Sequence, residues 1–240
     1  MKLNVLFSPG NTDELYFTGK TTVVIDVLRA STTIVEALKN GAKDVVPVAT
    51  VEFAVKISGG MFCGQTLLGG ERNTKKIEGF ALGNSPLEYK SEIVNGKSIV
   101  FYSTNGTKAI VKAKFSEHLF ISALTNMNAV AKHLLELGSD CVILCAGNNN
   151  LFSLEDSVCA GALIEEIINL EKTVLLSDSA KAALGLNKSF GKNKFNTLTE
   201  SEHGKILIKN GFNKDLEFCS KENNANVVPV YSNSVIKTLG

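Results

Sequence analysis

The chain has 240 residues, 44% of them hydrophobic and 20% charged, with a formal net charge of +1. That is enough apolar content for a large core, arranged as one domain or as two lobes divided at about residues 1–95 and 96–240. So even a charge balance excludes the broad field of a nucleic-acid or acidic-membrane binder, so charge-based recognition has to be local.

Met1 to Leu15 is a short apolar stretch broken by Ser8, Pro9 and Gly10, without the core of a signal peptide. No run approaches the roughly 18 apolar residues of a membrane helix, so a cytoplasmic protein is expected. A strand over Val23 to Ile25 leads through Asp26 to Thr33 into a helix carrying Ile34, Val35, Ala37 and Leu38. Thr33 and Glu36 fit a capping box and Gly41 the C-terminal cap. Val45 to Val48 reads as a second strand, with a helix opened by Thr50 and running to about Ile57. Gly59 to Glu88 is glycine-rich and irregular, too long for a simple connector and therefore a candidate functional loop.

Downstream, Ile99 to Tyr102 reads as a strand, Ser103 to Thr107 as a loop and Lys108 to Lys114 as a helix. Leu119 to Ile121 is a further strand, and Thr125 opens a helix. Aligning Thr33 with Thr107 brings Thr50 opposite Thr125, which predicts an internal duplication of a β-α-β-α unit. Cys141 to Ala146 forms another strand and leads through Gly147 and Asn148 to Asn150 into a long, mostly buried helix from Ser153. Val174 to Leu176, a lysine-rich polar region at Lys188 to Lys194, a helix over Ser201 to Lys209 and a strand over Val227 to Tyr231 complete the chain. The pattern predicts an α/β fold with a mixed or largely parallel sheet.

Three strand-to-helix loops, Asp26 to Thr33, Ser103 to Thr107 and Gly147 to Asp156, are expected to gather at the carboxyl ends of the strands, where ligands bind and helix N-termini favour anions. Of 25 basic residues only two, Arg29 and Arg72, are arginine. Where lysine is the default cation, a retained arginine points to a bidentate anion contact or to a structural ion pair. Asp26 stands at a strand end, suited to holding Mg²⁺, attacking phosphorus, pairing with Arg29 or capping the loop. Glu71 and Arg72 sit side by side after two glycines, read as a flexible loop. Glu155 and Asp156 fall in the first turn of the long helix, with Ser153 and Asp156 at capping-box spacing. His203 reads as a general acid or a solvated helix residue, and His118 and His133 as structural or surface groups. The five cysteines, Cys63, Cys141, Cys145, Cys159 and Cys219, are odd in number and lack a Cys-x-x-Cys pair, so they read as reduced core residues. Walker, Rossmann and Gly-x-Ser-x-Gly motifs are missing, which argues against the common nucleotide-binding and hydrolase classes.

Val24 to Thr33, Gly69 to Arg72, Gly79 to Pro86, Thr104 to Thr107, Cys145 to Gly147, Phe152 to Asp156 and Ser201 to Gly204 occur in an order that resembles the 2-phosphosulfolactate phosphatase family. Ala81, where members carry an acidic residue, and Asn148 to Asn150, where they carry glycine, depart from its pattern. The resemblance implies a three-layer α/β/α fold and Mg²⁺-dependent hydrolysis of 2-phospho-3-sulfolactate to 3-sulfolactate and phosphate, a step of coenzyme M biosynthesis. It implies Asp26 and Arg29 as catalytic, and Asp26, Glu71 and Asp156 as metal ligands. Ser31, Thr32, Arg72, Asn84, Ser85, Thr104, Asn105, Gly106, Thr107 and His203 are then expected to contact substrate. The expected partner is a small phosphate- and sulfonate-bearing anion, with neither nucleic acid nor membrane, and a homo-oligomer is compatible. Another phosphorylated hydroxy acid as substrate, or anion binding without turnover, are the competing readings.

Overall fold

The computed structural model describes residues 1–10, 12–61 and 66–239. In chain order the described elements are β1 (Lys2–Leu6), β2 (Thr21–Ile25), α1 (Ala30–Lys39), β3 (Asp44–Val48), α2 (Val51–Met61), β4 (Thr66–Arg72), β5 (Lys75–Lys76), α3 (Ser91–Val94), β6 (Ser98–Tyr102) and α4 (Gly106–Lys112). They continue with β7 (His118–Ser122), α5 (Met127–Leu137), β8 (Cys141–Cys145), α6 (Leu154–Leu170), β9 (Leu175–Leu176), α7 (Asp178–Phe190), α8 (Lys194–Glu200), α9 (Glu202–Lys209), α10 (Asn213–Cys219), β10 (Pro229–Ser232) and β11 (Val235–Thr238).

The strands form one mixed sheet in the order β5-β4-β6-β3-β11-β10-β7-β2-β8-β1-β9. Strands β4, β6 and β3 pair in parallel, as do β7, β2, β8, β1 and β9. Between these halves the β10–β11 hairpin pairs antiparallel to β7 on one side and to β3 on the other. Every residue of β2, β6 and β8 is buried, as expected of parallel strands covered on both faces.

Alternation along the strands divides the core into layers. Val23 and Ile25 of β2 pack with Ile143 of β8 against α5, α6 and α7. Val24 and Leu144 face the other way, onto α1 and α4, and meet Val45, Ile99 and Phe101 of the second half across the same helices. Val48, Val100 and Tyr102 turn outward onto Ala54 of α2. Each half is thus a three-layer α/β/α unit, and α1 and α4 serve as the inner helical layer of both. Strand twist accumulates at roughly 20–25° per step over the five steps from β6 to β2. The carboxyl ends of the two halves consequently meet.

Several sequence expectations change. Among its described residues, which exclude 62–65, Gly59 to Glu88 is not an irregular loop, because β4 runs through it, with β5 and a short 3-10 turn at Pro86–Glu88. Gly69 and Gly70 are packing residues: a Cβ on Gly69 would meet Tyr89, and Gly70 has φ +141°, where a Cβ would meet the Tyr102 carbonyl. Helix α1 begins at Ala30 rather than at a Thr33 cap. Thr33 is buried within it and donates to the Asn84 carbonyl (3.0 Å), while Glu36 accepts from Lys39 and Asn40. Strands β1 and β11 and helices α7, α8 and α10 carried no sequence expectation. The described cysteines, Cys141, Cys145, Cys159 and Cys219, are free and buried as expected, and burial raises the thiols of Cys141 and Cys219 to about 12. Cys63 lies outside the described residues. No helix among the described residues is long and apolar enough to cross a membrane.

Candidate active site

A cavity of about 180 Å³ opens where the two halves meet, lined chiefly by Asp26, Arg29, Glu71, Thr74, Asn84, Thr104, Asn105, Asn148 and His203. Asp26 follows β2 directly. Its main-chain N–H donates to Ser31 Oγ (2.9 Å), and its Oδ1 accepts from the Ala30 N–H (3.2 Å), so the carboxylate caps α1. Gly106 opens α4 beside it, and a Cβ there would run into the Asp26 carboxylate and Ala30. Glycine at this position therefore allows the two strand ends to touch. Burial, followed by the charges of Glu71 and Glu155, raises Asp26 to about 7.

Glu71 ends β4 pointing inward. Its Oε1 accepts from the Thr104 N–H (2.7 Å), and its Oε2 accepts from the Thr74 N–H (2.7 Å) and Thr104 Oγ1 (3.2 Å). Asn73 and Thr74, both at positive φ, form the tight β4–β5 turn. Left-handed backbone is costly for a β-branched threonine, and three hydrogen bonds hold Thr74 in it: to Glu71, from Arg29 Nη2 (2.8 Å) and from Asn210 Nδ2 (2.8 Å).

Arg29 is 2% exposed, so it needs a counter-charge. That charge is Asp215 of α10, at 2.6 Å from Nη1, and Phe212 stacks on the guanidinium at 4.1 Å. Ser85 Oγ donates to the other Asp215 oxygen (2.7 Å). The structural ion pair foreseen for Arg29 exists, with a partner 186 residues away instead of Asp26.

Arg72 is a correction. Its side chain is 58% exposed and lies 3.8 Å from an exposed Glu52 oxygen, away from the cavity. Successive residues of a strand face opposite sides, so Glu71 inward forces Arg72 outward. Ser31 and Thr32 are corrected too: Ser31 Oγ accepts from the Asp26 N–H, and Thr32 Oγ1 donates to the Val27 carbonyl (2.9 Å), so both brace the loop from within. Thr107 is fully buried in a reciprocal pair of hydrogen bonds with Ser103, and Ser85 supports Asp215 instead of lining the cavity.

Asp156 likewise stands behind the site. Its Oδ1 accepts from the Val27 N–H (2.8 Å) and its Oδ2 from the Gly147 N–H (3.0 Å), which ties two of the strand-end loops together. Ser153 caps α6 by accepting from the Asp156 N–H (3.3 Å), as the spacing predicted. Burial and the neighbouring Asp26 and Glu155 charges raise the Asp156 carboxyl, and burial raises Glu155.

Of the residues expected to contact substrate, Asn84, Thr104, Asn105 and His203 line the cavity. Burial lowers the His203 imidazole, which favours its neutral form. Asn73, Thr74, Asn148, Asn149 and Asp215 were not foreseen as site residues. Asn149 and Asn150, both at positive φ, turn the chain tightly between Asn148 and Leu151, and the Asn149 N–H donates to Asn105 Oδ1 (3.1 Å). The Asn-Asn pair was a readable signal for this turn.

Among the described residues, no three His, Cys, Asp or Glu side chains are gathered as a ready-made metal-ligand set. The site still fits a hard divalent cation that completes its shell with water and phosphate. Asp26 and Glu71 offer carboxylate oxygens to one cavity, and the buried Asn84 Oδ1 has no hydrogen-bond partner.

Fold and site together define an α/β enzyme with a carboxylate-lined polar cleft at its strand ends. The profile described as 2-phosphosulpholactate phosphatase matches residues 7–234. A Clostridium tetani protein named "Probable 2-phosphosulfolactate phosphatase" is 41% identical over 238 residues, covering 99% of this chain and 100% of that protein. Identically named proteins of Caldanaerobacter subterraneus and Thermotoga petrophila are 41% and 43% identical, covering 91% and 90% of this chain and 90% and 91% of their own. The chain belongs to the 2-phosphosulfolactate phosphatase family and is a phosphoric monoester hydrolase.

Proposed function

We propose that this enzyme hydrolyses 2-phospho-3-sulfolactate to 3-sulfolactate and phosphate in a Mg²⁺-dependent reaction, a step of the coenzyme M biosynthesis type. The observation that carries the reading is Asp26: a buried carboxylate at a strand end, raised to about 7, facing a polar cavity shared with Arg29 and Glu71. The names of the family and of its relatives supply the substrate. Asp26 and Glu71, with the Asn84 amide oxygen, would hold Mg²⁺, which when bound neutralises charge on the phosphate oxygens.

Arg29 binds the phosphoryl group, using donors left over after its bonds to Asp215 and Thr74. Asp26 acts on phosphorus, either as the attacking oxygen, giving an aspartyl phosphate that water then hydrolyses, or as the base that takes a proton from the attacking water. The P–O ester bond breaks and the departing oxygen takes a proton from solvent water. His203 faces the same cavity as a hydrogen-bond donor for that oxygen. Phosphate release from 2-phospho-3-sulfolactate and from a panel of other phosphorylated hydroxy acids, each with Mg²⁺ and with EDTA, tests the reading. Preferred, Mg²⁺-dependent turnover of the sulfonated compound is expected. Equal rates in EDTA would overturn the metal requirement, and a better non-sulfonated substrate would overturn the assignment.

A further inference from the structure

With Arg72 outside the cavity, the proposed substrate lacks counter-charge. At neutral pH it carries about four negative charges over phosphate, carboxylate and sulfonate. Among the described residues lining the main cavity, Arg29 is the only full positive charge, and Asp215 already neutralises it. A divalent cation at Asp26 and Glu71 cancels those two carboxylates and leaves nothing over for the rest of the substrate.

A second cleft of about 170 Å³ adjoins the first and shares Thr104, Asn105 and Asn149 with it. Lys108 and Lys112 line it, four residues apart and thus on one face of α4. The Asn149 N–H to Asn105 Oδ1 bond forms the partition between the clefts. Lys112 is half-buried and its ammonium donates to the Pro9 carbonyl, which fixes it over the cleft. Lys108 is exposed, and its ammonium has no protein partner among the described residues.

We propose that the cleft lined by Lys108 and Lys112 is the subsite for the substrate's second strong-acid group, the sulfonate, and that it selects sulfonated over unsubstituted hydroxy acids. The identity of the group rests on the function proposed above. The two ammoniums supply the charge the main cavity lacks, and the shared lining of Thr104, Asn105 and Asn149 sets the two clefts side by side. A sulfonate has three acceptor oxygens and no need of a planar fork, so lysine point charges suit it.

Equilibrium binding of 3-sulfolactate and of lactate, measured by calorimetry with Mg²⁺ present, tests the subsite. The wild type is expected to prefer 3-sulfolactate by at least about tenfold. Lys108→Met is expected to reduce that ratio, Lys108→Met with Lys112→Met to bring it near one, and the paired Lys→Arg changes to keep it. Because Lys108 has no partner among the described residues, its single variant remains informative even if losing the Pro9 contact of Lys112 loosens the fold. No preference in the wild type, or an unchanged ratio in Lys108→Met, overturns the subsite. Turnover of 2-phospho-3-sulfolactate is followed in parallel. Failure of turnover with the binding preference intact overturns the substrate assignment alone.

Discussion

Removing the Asp215 carboxylate strands a buried cation. Arg29 and Asp215 lie 2.6 Å apart with side chains 1% and 4% exposed, and Ser85 loses its acceptor in the same change. Breaking one partner of such a pair costs about 3–5 kcal/mol, because the remaining charge stays out of water. For a chain of this size each kcal/mol lowers Tm by about 2–4 °C, so Asp215→Ala is expected to lower Tm by roughly 6–20 °C. Asp215→Asn keeps an acceptor for Ser85 and should lose less. A purely structural pair would stop at stability, but Arg29 also lines the cavity, so kcat/KM of the folded Asp215→Asn protein should fall as the guanidinium loses its anchor. Calorimetric melting together with steady-state kinetics below the variant's Tm checks both parts. A loss under about 1 kcal/mol in Asp215→Ala would refute the desolvation argument.

Asp26→Asn retains an oxygen for the Ala30 N–H, so it should fold, and phosphate release should drop on the order of 10³-fold; retention of most turnover removes Asp26 from the chemistry. Arg72→Ala should leave kcat/KM within about twofold and stability within about 0.5 kcal/mol, since its one ion pair is exposed; a tenfold loss would show that it reaches substrate. For pH, the folded Asp26 carboxyl stands at about 7 against an ordinary 3.8, so the folded state keeps its proton longer than the unfolded one. That contribution to stability is full below pH 3.8 and is lost as pH rises through 7, about 4 kcal/mol in all. Mg²⁺ competes with this proton, so its effect on Tm should be small at pH 5 and large at pH 8; a gain independent of pH would refute Asp26 as a ligand.

The parts of the fold legible in the sequence were those with local signals: β2, β6 and β8 as apolar runs, α6 from its Ser153 cap, and the three loops that meet at the site. Strand β4 was hidden because Gly69 and Gly70, demanded by close approach to β6, look like loop residues. Arg72 was misplaced for the same reason, since two adjacent charges can share a site only in a loop. Helix α7 buries Ala180, Ala183 and Asn187 at helical spacing, but these small and polar residues do not make a stripe of large apolar ones. Asp215 offered no local signal at all, because its role is defined only by an arginine brought to it by tertiary folding.

Counting hydrogen bonds also ranks the carboxylates that the sequence treated as one metal set. Both Asp156 oxygens accept main-chain N–H groups from other loops, and the residue does not line the cavity, so its hydrogen bonds hold the floor of the site together. Glu71 accepts three bonds from Thr74 and Thr104, which makes it a strut between β4 and the loop after β6 with lone pairs to spare. Asp26 has one oxygen on the Ala30 N–H and, among the described residues, no protein donor on the other, beside the glycine that opens α4. That oxygen faces the cavity, and of the three carboxylates it is the one left open to a cation, a proton or a phosphorus atom. The proposed function therefore rests on Asp26 as its reactive carboxylate, with Glu71 and Asp156 bracing the loops around it.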